Sequence, residues 1–144
     1  MKWTVGLLVT AVMLASGGSA DAQTTPPSRD ELTAKGLQPL DGPALTQLLA
    51  GNTLYHVVPA NGFKVPIHYR ADGSRVVRLR GQETASKWRV EGNTVCEDSV
   101  FLNREVCREI FSIDGTKGAV CEKGQPACSN LTDWAAGNPE GLGR

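Results

Sequence analysis

From Thr53 onward, apolar and polar residues alternate with a period of two, which predicts a succession of short β-strands with one face on a core and one in water. Strand signals begin at Thr53–Val58. In Lys64–Arg70, Val65, Ile67 and Tyr69 alternate with Lys64, Pro66, His68 and Arg70; in Arg75–Arg80, Val77 and Leu79 alternate with Arg78 and Arg80. The register of this pair follows from its turn. A tight Asp72-Gly73 turn would set Ile67 against Arg78. A three-residue loop, Ala71-Asp72-Gly73 with Gly73 left-handed in a bulge, opposes Ile67 to Val77 and Val65 to Leu79 and is preferred. Further hairpin signals stand at Glu91-Gly92-Asn93 and Asp114-Gly115. Six to eight such strands would expose an apolar face and two edges if left open, so the meander is expected to close. The predicted fold is mainly β with one or two short N-terminal helices, an antiparallel meander closed into a small barrel or half-barrel.

Two helices are predicted before the strands. Ser28 and Glu31 form a capping-box pattern, and Gly36 can end the short helix it starts. A second helix, Gly42–Ala50, has Asp41 as N-cap, Leu40 and Leu45 as a hydrophobic staple, and an apolar stripe of Leu45, Leu48 and Leu49. It is too short to be stable alone, so the stripe is expected to plug the barrel. Trp88 shares a face with Val90 and is expected in the core beside a disulfide. Trp134 lies in a tail, Leu131–Leu142, that is poor in strand signals; this tail is expected to cover the barrel end, with Leu142 as its anchor.

The first 22 residues look like an export signal, with Lys2, an apolar run Val5–Ala15 and a small-x-small site at Ala20-Asp21-Ala22. The run is too short to span a bilayer, for which about 20 residues are needed. After cleavage no membrane span is expected, and the protein should be periplasmic or secreted. Residues 23–39 are expected to be a flexible lead-in with a short helix, and residues 40–144 a single domain. An oxidising compartment would pair Cys96, Cys107, Cys121 and Cys128. Three arrangements are open. Cys96–Cys107 with Cys121–Cys128 closes two short loops and is favoured over Cys107–Cys121 with Cys96–Cys128.

The net charge is zero by cancellation: Lys64 to Arg89 holds seven bases against two acids, and Glu91 to Glu140 nine acids against four bases. The halves can neutralise each other. Alternatively Lys64, Arg70, Arg78 and Arg80 form an exposed basic face for an anionic envelope component or an acidic protein. Nucleic acid is not an expected partner. Chemistry is sparse. His56 and His68 on neighbouring strands lack a third ligand, the cysteine spacings do not suit a metal, and no cofactor is indicated. No serine stands in a nucleophile-elbow setting. Glu97 and Asp98 should point to opposite faces of one strand, and Glu105 and Glu109, alternating with Arg104 and Arg108, should form a solvated ladder. No catalytic residue is assigned.

The segments Leu-Leu-Ala-Gly-Asn-Thr (48–53), Trp-Arg-Val-Glu-Gly-Asn-Thr-Val-Cys (88–96) and Gly-Asn-Pro-Glu-Gly-Leu (137–142), with Cys107 and Cys121, resemble the short exported, disulfide-containing β proteins of proteobacteria of the domain-of-unknown-function type. The Trp88–Cys96 segment is also similar to small periplasmic barrels that inhibit lysozymes or proteases. The resemblance implies a fold and its bridges and carries no reaction. The expected function is a non-enzymatic binding or structural component of the cell envelope; the alternatives are a periplasmic hydrolase inhibitor and a small cell-wall or sugar hydrolase.

Overall fold

The computed structural model describes residues 25–144; residues 1–22, where an export signal is expected, lie outside the described residues. Helices α1 (Arg29–Ala34) and α2 (Gly42–Leu49) precede strands β1 (Thr53–Val57), β2 (Lys64–Tyr69), β3 (Ser74–Leu79), β4 (Gln82–Glu91), β5 (Thr94–Ser99), β6 (Arg104–Asp114), β7 (Lys117–Glu122) and β8 (Cys128–Ala135). Each strand pairs antiparallel with the next, and β8 pairs with β1 to close the barrel. The predicted register of the β2–β3 hairpin is the one observed: Ile67 faces Val77, and Gly73 has φ 85°. Two extents differ. β4 begins at Gln82, well before the Trp88–Val90 face read from the sequence, because Arg80 (φ 50°) and Gly81 (φ 80°) make a two-residue turn that sets Leu79 opposite Gln82. Residues 131–135, expected in an irregular tail, belong to β8, since β1 and β7 both need a partner there.

One end of the barrel is shut. Asp41 caps α2 through the Ala44 N–H at 2.9 Å, and Leu45 and Leu49 are fully buried against Leu54, Tyr69, Trp88, Val95 and Ile110. Leu48 is only partly buried. Trp88 packs edge-on against Tyr69, with ring centroids 5.4 Å apart, and its indole N–H donates to Arg70 and Ser74 carbonyls. It lies on the inner face, whereas the disulfide expected beside it lies outside: Cys96 pairs with Arg89, the neighbour of Trp88. The bridges are Cys96–Cys107 and Cys121–Cys128, the favoured arrangement, each joining residues directly opposite on adjacent strands.

Residues 28–39, expected as part of a flexible lead-in, are held on the outer wall. Ser28 and Glu31 form the capping box, Leu32 packs on Phe111, Ala119 and Cys121, and Arg29 pairs with Glu109. The chain after β8 also lies on the wall instead of over the barrel end. Thr53 donates to the Gly137 carbonyl at 2.8 Å, Tyr55 to Glu140 at 3.0 Å and Arg70 to the Gly143 carbonyl at 2.6 Å, with Leu142 buried. Outward-facing Thr53, His68 and Val76, all buried, form its bed.

Burial of these leucines sets the first expectation. Leu49→Ala should cost about 2–5 kcal/mol in equilibrium unfolding, with Leu48→Ala costing clearly less; equal losses would mean that α2 does not plug the barrel in this orientation.

Candidate binding site at the barrel mouth

The opposite end stays open. The loops after β1, β3, β5 and β7 all emerge there, and three of the four exposed large apolar side chains among the described residues sit on two of them: Phe63 (50% exposed), Phe101 (53%) and Leu102 (50%). Beneath this rim is a cavity of about 300 Å³. Val65, Ile67 and Leu79 form its apolar walls, and His56, Arg75, Glu97 and Arg108 its polar floor. The β2–β3 ladder runs only from Tyr69–Arg75 to Ile67–Val77, so Val65 and Leu79, expected to face each other, line the opening instead.

The floor is built by parity. Arg75 shares a face with Val77 and Leu79, Glu97 with Val95, and Arg108 with Ile110, so all three charged side chains point inward with their apolar neighbours. Glu97 joins them. Its Oε2 accepts from Arg75 Nη1 at 2.6 Å and from the Tyr69 hydroxyl at 2.8 Å, and its Oε1 accepts from Arg108 Nη1. Arg75 also donates to Ser86 Oγ at 2.9 Å and to the Asp98 carbonyl at 2.5 Å. Arg75 and Glu97 are almost wholly buried, and Arg108 is 13% exposed.

Two guanidiniums against one carboxylate leave an excess positive charge. Glu122, opposite Arg108 on β7, favours the charged guanidinium but is itself paired with Arg104 at the rim, so Arg75, Arg104 and Arg108 still exceed Glu97 and Glu122 by one charge. Burial lowers the Arg108 pKa; a guanidinium nonetheless remains charged in proteins. Burial, then Arg108 and Arg75, push the His56 pKa down to about 3, so its ring is neutral at physiological pH. Among the described residues no side chain or backbone group hydrogen-bonds to that ring, and Glu97 alone accepts from Arg108. The site therefore combines an anchored cation, a neutral imidazole without a partner and an apolar entrance. It can hold an anion without moving a proton.

The residues singled out in sequence fall elsewhere or in different roles. Lys64, Arg70, Arg78 and Arg80 do not make one free face. Lys64 pairs with Asp133, Arg78 with Glu83 and Glu140, and Arg70 is tied to the C-terminal segment; Arg80 is exposed in its turn. Lys64 and Arg70 also stand at opposite ends of β2. His56 and His68 lie on opposite faces of the wall, which excludes a shared metal; His68 Nδ1 is 3.1 Å from the Asn52 carbonyl. The one cluster of three metal-donor side chains found among the described residues, Cys96, Glu105 and Cys107, has both sulfurs in a disulfide. Glu97 and Asp98 do point to opposite faces, one buried and one exposed. Glu105 and Glu109 lie outside, but Arg108 of the expected solvated ladder is inside, bound to Glu97. A wider groove of about 660 Å³ runs beside α1 on the outer wall.

No protein-family model matches the chain, and no curated protein or solved structure is significantly similar to it. Among the described residues no helix is long and apolar enough to cross a membrane.

Glu97 should be the costliest single residue of the site. Glu97→Gln leaves two buried guanidiniums without a counter-charge and should destabilise by about 3–5 kcal/mol in denaturant unfolding, whereas exposed Asp98→Asn should stay within about 0.5 kcal/mol.

His56 gives a pH signature. The unfolded ring takes up a proton as pH falls through 6.5, but the folded ring does so only near about 3, so stability is full above that window and falls as pH drops through it. Between about pH 7 and pH 5 the loss should reach at most about 2 kcal/mol, and His56→Gln should remove it. Identical pH profiles for wild type and variant would show that the ring is not held neutral.

Proposed function

We propose that the protein is an exported, non-enzymatic binding component of the cell envelope and that the barrel mouth is its recognition element. One observation carries this: a cavity open at one end, with an excess guanidinium and an unpartnered imidazole on its floor and exposed Phe101 and Leu102 on its rim. Two disulfides fit an oxidising compartment, in line with the leader-like first 22 residues. The hydrolase reading is less well supported. Both Glu97 oxygens are engaged by three donors, so Glu97 offers no free acid or base, and no second carboxylate lines the cavity.

One feature favours the inhibitor alternative. The β5–β6 loop holds Phe101 and Leu102 about half-exposed at the mouth, apolar side chains that a partner's cleft would bury on binding. Both readings place recognition at the mouth rather than on the basic strand pair. The test compares the mature protein with Phe101→Ser/Leu102→Ser and Arg78→Gln/Arg80→Gln for retention of envelope material, identified by mass spectrometry. The rim variant should lose what wild type retains and the arginine variant should keep it. The opposite pattern would return the binding surface to the outer basic strands.

A further inference from the structure

We propose that the mouth cavity binds a small amphipathic carboxylate head-first, its carboxylate on Arg108 and His56 and its apolar chain along Val65, Ile67 and Leu79 toward the Phe101–Leu102 rim. This rests on the mouth being the recognition element and goes beyond it by fixing the chemical class and orientation of the ligand.

Charge sets the class. Arg75 spends its donors on Glu97, Ser86 and the Asp98 carbonyl, whereas Arg108 makes one bond, to Glu97, and keeps the other side of its guanidinium for the cavity. Arg75 and Arg108 against Glu97 leave one positive charge, with the Arg104–Glu122 pair neutral above it. A monoanion completes that balance. A neutral molecule leaves the charge uncompensated, and a dianion brings an unpaired charge into a poorly solvated site. A planar guanidinium matches a carboxylate in two parallel hydrogen bonds. His56, neutral and without a partner, adds a third without changing the charge.

Shape sets the orientation and size. The charged groups lie on the floor, and the side chains that line the way out are mostly apolar, Val58, Val65, Ile67, Leu79, Phe101 and Leu102 against the uncharged Ser99 and Asn130. A carboxylate that entered tail-first would leave Arg108 facing hydrocarbon and put its own charge among Phe101 and Leu102. About 300 Å³ is at the lower limit of small-molecule sites, which fits a medium-length acyl chain or a compact aromatic acid and excludes a two-chain lipid.

Calorimetric titration of the mature protein with decanoate, decanol and decyl phosphate, each as dispersed monomers, tests the assignment. Decanoate should bind one to one and about tenfold or more tighter than decanol, the margin expected for hydrogen bonds to a charged group. Arg108→Gln should abolish that preference, and it leaves Glu97 paired with Arg75 and Tyr69. Should this variant fail to fold, Leu102→Asp on the exposed rim should weaken decanoate by a similar factor through charge at the entrance. Equal binding of decanoate and decanol would overturn the charge argument, and tighter binding of decyl phosphate would overturn the monoanion assignment. Absence of decanoate binding, with rim-dependent retention of envelope material intact, would sink the ligand class while leaving the mouth as recognition element. Decanoate binding unaffected by Arg108→Gln and Leu102→Asp would place the ligand outside the mouth.

Discussion

Everything at the open end depends on the Glu97 carboxylate. An eight-stranded barrel has an interior just wide enough for side chains to fill it, and the lower half of this one is filled conventionally by Leu45, Leu49, Leu54, Trp88 and Val95. Extending that packing upward would close the mouth. Instead Arg75, Arg108 and Tyr69 converge on Glu97, four side chains from four strands tied at one point. Such a group is a weak source of net stability, because desolvating the charges offsets most of their attraction. Its physical effect is positional: it fixes long side chains in one arrangement and leaves a polar floor under an apolar rim.

The rest of the molecule stiffens the frame around that floor. Cys96–Cys107 ties β5 to β6 and Cys121–Cys128 ties β7 to β8, the two hairpins whose loops stand at the mouth on the Glu97 and Arg108 side. Loops of 11 and 7 residues give each bridge only roughly 2–3 kcal/mol in the chain-entropy description. The bridges matter more as cross-links on the wall that carries Glu97 and Arg108. The segment after β8 braces the other side, where its backbone meets Thr53, Arg70 and Glu83.

Much of this was legible in the chain. The helix caps at Ser28 and Asp41, the three-residue loop closed by Gly73, the closed meander and the favoured cysteine pairs all follow from local chemistry, and all are present. The elements that escaped depend on distant partners. β8 has a weak alternation of its own and is a strand because β1 and β7 pair with it. The mouth was hidden differently. Arginines and glutamates ordinarily face water, so Arg75 counted toward a basic half, Glu97 toward an acidic one and Arg108 toward a solvated ladder. The alternation held the contrary signal, since each shares its face with valine, leucine or isoleucine. A single charge on an apolar face is commonly an edge or rim residue. Three of complementary sign on strands that barrel closure brings together are a buried network, and only the closed topology shows that they meet.

Where charge is exposed decides what it can do. On the outer wall Lys64, Arg78 and Arg89 each lie beside a carboxylate, and water and salt screen what remains over about 8 Å. A partner approaching the strand pair that looked basic in sequence meets ion pairs already made. Within the mouth the same unit of charge acts through a medium that screens far less, with low-dielectric walls that direct its field toward the opening. The zero net charge of the chain therefore conceals an inner excess as well as an outer balance. The inner excess is the part of this charge distribution that remains to be satisfied by another molecule.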